Sequence, residues 1–313
     1  MAEEYVVIVG GLNLDVAGLS GKDYREHDSN IGRIEISAGG VGHNIAQNLT
    51  RYDVPTYLVT VYGDDYFGEI LVDQSEESNI RLDYAEKIEG QRSSSYLYVT
   101  DNEGDMVTGI NDMGIVDLIT PEFLEKRLDF INGAKICVID ANISKESIEW
   151  LAERCKVPIF VDPVSVAKAG RLENVLDKID TIKPNEYEAE LLSGIKVVDK
   201  ESAIEAAKAL VAKGVKNVFI SLGAKGILGS DKETYHFVKP IPGEVVSVNG
   251  AGDCSMATIT WARYYYDGAL DVGEVCYLTQ AAARLTVSSS EAVSPDLNVT
   301  NVVKLASASF GAE

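Results

Sequence analysis

The chain has 313 residues, 46% of them hydrophobic and 25% charged, and its 28 Lys and Arg against 49 Asp and Glu give a formal charge of -21. That length buries a full core, as one large α/β domain or a major domain with a small addition. The acidic balance excludes a nonspecific binder of nucleic-acid polymers, which needs a basic face, and leaves room for a local basic pocket.

Cys137, Cys155, Cys254 and Cys276 are widely spaced with no CxxC pair, which argues for reduced core residues over structural zinc or a disulfide framework. The start, MAEEYVVIVGG, has neither the basic region nor the long apolar run of a secretory signal or membrane span. A cytoplasmic location with no membrane partner is the expectation. Tyr5 to Val9 reads as a buried strand ending at Gly10-Gly11. In GGLNLD, alternation sends Asn13 and Asp15 to one side of an extended chain, where they suit adjacent sugar hydroxyls; an Asx-supported turn explains them equally. The segment 15–38 is polar and ends in RIEIS, suited to an exposed strand. Gly39 and Gly40 allow close backbone approach before the helix IAQNLTRY and bring the Asn44 amide to its start. His43 reads as a partly exposed residue of that helix. Tyr57 to Val61 is the next strand and Phe67 to Ser75 the next helix. SSSYLYVTD at 93–101 and the run 105–110 make a second alternating excursion, so the two excursions can pair as a small sheet.

From Lys135 a steadier strand-helix rhythm begins. Strands are expected at Ile136–Ile139, Ile159–Val161, Thr181–Ile182 and Val218–Ser221, and helices at Lys145–Cys155, Tyr187–Ser193 and Lys200–Lys213. The rhythm predicts a layered α/β sheet whose ligands meet the C-terminal ends of its strands. In KPNEYE, Asn185 and Glu188 share the first turn of a helix, where they suit metal-bound water near a phosphate or a plain capping box. Ser221, Gly223 and Gly226 in SLGAKG end a strand and shape either a nucleotide pocket or a tight turn. In VNGAGDCSMA, Gly250, Ala251 and Gly252 turn the chain closely just before a helix reaching Tyr266. Exposed N–H groups beside Asp253 suit an anion next to a proton acceptor; a glycine-rich turn with Asp253 as helix cap is the simpler account. TQAAARLTVSSS and a terminal helix close the chain. Neither a GxGxxG fingerprint nor a P-loop is present, which argues against dinucleotide binding and P-loop ATPase chemistry.

In their order, GGLNLD, GGVGHNIAQNL, KPNEYE, SLGAKG and VNGAGDCSM resemble the ribokinase-like, PfkB-type family of carbohydrate and nucleoside kinases over essentially the whole chain. The resemblance implies a ribokinase-like layered α/β/α fold in a single domain, 1–313, with a small β-sheet lid formed by insertions at about 15–38 and 93–110. It implies Asp253 as catalytic base, Gly250, Ala251 and Gly252 as anion hole, and Asn13, Asp15, Gly39, Gly40 and Asn44 around the sugar. ATP would lie against Asn185, Ser221, Gly223, Gly226, Gly250 and Gly252, with Asn185 and Glu188 arranging Mg2+ through water.

Further strings, DVAGLS, HDSNIGRIEISAGGVGHNIAQNLTRY, EGDMVTGINDMGIVDLITPE and VDPVSVAKAG, are similar to the pseudouridine-phosphorylating members of that family. They imply ATP-dependent phosphorylation of the pseudouridine 5′-hydroxyl, with Ser29, Asn30 and Asn111 closing around the nucleoside. A kinase for another nucleoside or sugar, such as uridine, inosine, cytidine, adenosine or ribose, is the enzyme alternative. An inactive nucleoside-binding regulator is the other. The family also pairs through lid strands, which implies a homodimer. Ser247 and Val248 stand where the family commonly has Asp or Asn and often Thr, leaving K+ activation open, and His43 stands where the closer matches often carry Arg.

Overall fold

The computed structural model describes residues 3–266 and 268–311. Its first strand, β1 (Val6–Val9), is buried at every position. A strand without alternation must be covered on both faces, and Val7 and Val9 belong to one apolar cluster, Val6 and Ile8 to another. β2 (Asn13–Ser20) and β3 (Gly32–Gly39) follow, then α1 (Val41–Thr50), β4 (Thr56–Val59), β5 (Val61–Gly63), α2 (Tyr66–Glu77), β6 (Glu86–Ile88), β7 (Ser95–Thr100) and β8 (Met106–Asp112). Short helices α3 (Pro121–Glu125) and α4 (Leu128–Ile131) lead into β9 (Ile136–Asp140), α5 (Lys145–Arg154), β10 (Ile159–Asp162), α6 (Val166–Ala169), β11 (Thr181–Ile182), α7 (Glu186–Ser193), α8 (Lys200–Ala212) and β12 (Asn217–Ser221). β13 (Ile227–Ser230), β14 (Tyr235–Val238), α9 (Ala251–Tyr266), α10 (Val272–Val287) and α11 (Val299–Phe310) complete the order.

The main sheet has eight strands in the order β14-β13-β12-β11-β10-β9-β1-β4. It is parallel from β4 to β12, and β13 runs antiparallel to both neighbours. Ile148, Leu151, Leu192 and Leu210 of α5, α7 and α8 fill one face; Ile45, Leu49, Trp261, Val275 and Val302 of α1, α9, α10 and α11 fill the other. This is the expected α/β/α layering. The Tyr52 ring stacks on Trp261 with centroids 4.8 Å apart, and its hydroxyl hydrogen-bonds Thr258 Oγ1 at 2.8 Å, locking α1 to α9. All the parallel strands end at one edge, which therefore collects the residues that follow them.

The two polar excursions do pair. A second sheet, β3-β2-β7-β8, is built from both, with β2 and β7 parallel at its centre. Because paired residues share a face, Ser37, Asp15, Tyr96 and Asn111 form one row and Ile36, Val16, Leu97 and Ile110 form a row on the opposite face. The strand expected at Tyr57 to Val61 begins at Thr56 and breaks at Thr60, and the helix expected from Cys254 begins at Ala251. Among the described residues no helix is long and apolar enough to cross a membrane, and all four cysteines are free thiols.

Candidate active site

The site is assembled at the strand ends around Asp140, the fully buried last residue of β9. Its Oδ2 accepts from Gly11 N at 2.8 Å and Gly42 N at 2.7 Å, and Oδ1 accepts from Asn142 N at 2.9 Å. These bonds fasten the exit from β1 and the entry to α1 onto one side chain. Glycine is required there: a Cβ on Gly10 would lie 2.5 Å from Asp140 Oδ2. Burial raises the Asp140 pKa against the lowering effect of those donors.

The next turn, through Gly39 and Gly40, packs against the Asn13–Asp15 pair. Asn13 Nδ2 donates to Asp15 Oδ1 at 2.6 Å, so alternation does put both on one side as expected. Gly40 has φ 95, and a Cβ there would lie 2.7 Å from Asn13 Oδ1. Burial pushes the Asp15 carboxyl up to about 6, opposed by the Asn13 hydrogen bond.

Opposite that pair, α9 begins behind Gly250. Gly250 has φ 75 and a Cβ there would fall 1.8 Å from Ala292 O, so only glycine makes this turn. Asp253 is the third residue inside α9, which displaces the cap reading. Its Oδ2 instead accepts from Asn44 Nδ2 at 2.8 Å, across from α1. N–H groups of the first helical turn have no acceptor within the helix, so Gly252 and Asp253 offer anion-facing donors. Burial first, then the nearby Asp162 charge, pushes the Asp253 carboxyl up to about 7.

A cavity of about 800 Å³ runs from Asp253 outward, lined among others by Asn185, Glu188, Ser221, Gly223, Gly226 and Gly252. Asn185 and Glu188 form the capping box of α7: Asn185 Oδ1 accepts from Tyr187 N and Glu188 N, both at 2.9 Å, and Glu188 Oε2 accepts from Asn185 N at 2.8 Å. The same Glu188 is 3% exposed and has its pKa raised by burial. Gly223 (φ 55) and Gly226 (φ 122) make the turn after β12, the latter tight against Val238 O.

Not all of the expected site residues gather here. Ser29 and Asn30 sit at the far end of the small sheet. Asn30 is spent on its own loop, accepting from Arg25 N at 2.6 Å and donating to Arg25 O at 2.8 Å, and Ser29 is exposed. Asn111 is also exposed but shares the row of Asp15. His43 is not partly exposed: α1 is covered on two sides, leaving it 1% exposed with neither ring nitrogen partnered among the described residues. Burial lowers its pKa to about 4, so the ring is neutral. Sequence reasoning missed Asp140, Asp162 and Lys183. An aspartate closing each of the apolar runs ICVID and IFVD was the available signal.

A pfkB family carbohydrate kinase profile matches residues 3–298. The chain is 38% identical to pseudouridine kinase of Escherichia coli (strain K12), over 97% of this chain and 96% of that protein. Among solved structures it is similar to a carbohydrate kinase from Agrobacterium tumefaciens (26% identity, TM-score 0.84, 97% of each chain). It shares its fold with Arabidopsis thaliana ribokinase complexed with ribose and ATP (24% identity, TM-score 0.83, 97% of this chain and 99% of that one).

The raised Asp253 pKa carries a stability consequence. Between the unfolded carboxylate value and about 7 the folded state binds a proton that the unfolded state has released, so stability falls as pH rises across that interval. Asp253→Asn removes this loss. Its melting temperature minus that of the wild type should climb between about pH 4 and pH 7 and level off above; differential scanning calorimetry of both proteins without ligand checks this, and a difference flat in pH contradicts it.

Proposed function

The chain belongs to the pfkB family of carbohydrate kinases, and on that premise we propose that it transfers the γ-phosphoryl group of ATP to the 5′-hydroxyl of pseudouridine. The observation that carries the reading is the Asn44–Asp253 contact of 2.8 Å: Asp253 lines the cavity beside the anion-facing turn, and Asn44 reaches it from the start of α1, where Gly40 packs on Asn13. The choice of acceptor rests on the likeness to the Escherichia coli pseudouridine kinase.

In this reading Asp253 accepts the hydroxyl proton as the oxygen attacks phosphorus, and a carboxyl raised to about 7 is a base matched to neutral pH. The Gly252 and Asp253 N–H groups behind the Gly250 turn face the phosphoryl oxygens in flight, whereas Ala251 N, expected among them, donates back to Val248 O at 3.4 Å. Asp15, supported by Asn13, accepts from sugar hydroxyls, and the row Asp15–Tyr96–Asn111 forms the ceiling over the nucleoside and excludes water, the competing acceptor. A magnesium ion carried on the ATP phosphates would be held through water by Glu188 and Asn185, and would supply charge neutralisation there. The Glu188 carboxylate on the wall of that cavity fits such a cation. Among the described residues no group of three acidic, histidine or cysteine side chains forms a direct cage.

With magnesium and ATP, the protein should make pseudouridine 5′-phosphate with a higher kcat/KM than it shows for uridine, inosine, cytidine, adenosine or ribose. A different preferred acceptor rejects the specificity and keeps the kinase; ligand binding without ADP formation rejects the enzyme. Asp253→Asn should bind both substrates and lose on the order of 10²-fold or more in kcat.

Asp15→Asn keeps size and removes the acceptor charge. Nucleoside affinity by calorimetry should fall while ATP affinity and melting temperature stay near wild type. An unchanged nucleoside KM would contradict the clamp.

The same reading includes a homodimer closed through the small sheet. Its row Ile36–Val16–Leu97–Ile110 leaves Ile36 46%, Leu97 41% and Ile110 64% exposed, an apolar strip next to two free strand edges. Sedimentation equilibrium should give twice the 33.9 kDa chain mass, and Ile110→Asp should lower it; a single-chain mass for the wild type contradicts the dimer.

A further inference from the structure

Lys183, just beyond β11, is 4% exposed. Its Nζ lies 3.2 Å from Asp162 Oδ2, with side chains 5% and 7% exposed. A Cβ placed on Gly252 would stand 3.5 Å from that nitrogen, so the ammonium rests against the first turn of α9. Asp162, Lys183, Gly252 and Asp253 all line the main cavity. Two other cationic side chains line it, an exposed lysine and a half-buried arginine, and both are engaged elsewhere. Lys225 donates to Val198 O at 2.9 Å and pairs with Glu186 at 3.6 Å, and Arg284 donates to Ser288 Oγ at 2.7 Å. At the inner end, beside Asp253, the cation is Lys183.

Asp162 aims it. Oδ1 of Asp162 accepts from Val164 N at 2.8 Å, and Ser165 N donates to Pro163 O at 2.7 Å around Val164 at φ 68. A β-branched residue in the left-handed region is strained and persists only where its surroundings over-determine it. One carboxylate therefore fixes a strained turn with one oxygen and the lysine with the other. A buried pair that served stability alone is readily replaced by neutral groups; this one faces a cavity at an anion-binding helix start.

We propose that Lys183 is a catalytic cation that contacts the oxygens of the phosphoryl group in transit past Gly252 toward the acceptor held at Asp253, with Asp162 as its positioning residue. The proposal rests on the kinase reading above. The bond from phosphorus to the ADP oxygen breaks, the bond to the acceptor oxygen forms, and the acceptor proton goes to Asp253. Lys183 stays protonated throughout and donates hydrogen bonds only.

Lys183→Met alone strands a buried carboxylate and endangers folding, so the test is the double variant Asp162→Asn with Lys183→Met, which keeps the site neutral. Melting temperature, steady-state kinetics and calorimetric affinities for ATP and ADP with magnesium are compared with wild type. The double variant should melt near wild type and keep its nucleoside KM. It should lose on the order of 10²-fold in kcat and bind ATP over ADP with about tenfold less preference. A double variant with near wild-type kcat and the same ATP-over-ADP ratio makes the pair structural and overturns the proposal. Should the double variant not fold, Lys183→Arg decides: a counter-charge role leaves kcat intact, whereas an aimed ammonium contact lowers it at unchanged melting temperature. If the wild type phosphorylates none of the acceptors offered, the kinase reading fails separately, and the ATP-over-ADP ratio still judges Lys183.

Discussion

One buried carboxylate holds the working edge of this molecule together. Asp140 takes N–H groups from Gly11, Gly42 and Asn142, and so joins the end of β1, the start of α1 and the end of β9 in one knot. A carboxyl group sealed from water is tolerable only when its lone pairs are met, which is why the chain around it is stripped of side chains at Gly10, Gly11 and Gly42. In the next strand Asp162 stands in register beside it. Two acids on adjacent strand ends repel, and each is answered differently: Asp140 by backbone donors, Asp162 by the Lys183 ammonium and Val164 N. From that division of partners comes an edge with fixed donors on one side and a charged pair on the other.

The spacing between the two halves of the site is set by the core. Asn44 and Asp253 lie on different helices, and their 2.8 Å contact needs α1 and α9 held at constant separation. Behind them, the Tyr52–Trp261 stack and the Tyr52–Thr258 hydrogen bond provide that separation from within the apolar layer. Close-packed interiors transmit strain, so a change of ring size at Trp261 reaches the carboxylate through the helix that carries both. The Gly250 turn adds a second constraint by setting where α9 starts against Ala292.

The layered sheet was legible because strand and helix periods alternate clearly from Lys135 onward, and Asp253 was legible because glycines crowd before a lone acid at a helix start. The antiparallel end at β13 and β14 was not read: Ile227–Ser230 and Tyr235–Val238 carry Gly229, Ser230 and His236 and show neither an unbroken apolar run nor a clear alternation. Asp140, Asp162 and Lys183 escaped for another reason. A polar residue just after an apolar run looks like the beginning of a turn, and only the ordering of β11, β10, β9 and β1 side by side reveals that three such residues meet. His43 was misread because helical periodicity marks one buried face, whereas α1 is covered on two sides by the sheet and α9. Ser29 and Asn30 stand apart from the cluster for a local reason: the loop they occupy is held by its own hydrogen bonds.

The small sheet meets the core at a single edge. β1 passes into β2 across 10–12, β3 returns through Gly39 and Gly40 to α1, and β7 starts and β8 ends at the same level, where Ser95 pairs with Asp112. The far ends pair Ser20 with Gly32 and Thr100 with Met106. Adding or deleting a rung of paired residues out there would alter how far the small sheet reaches while every strand end of the main sheet kept its place. The architecture thus behaves as a tile clipped to a frame, its length free of the strand ends that carry the buried carboxylates.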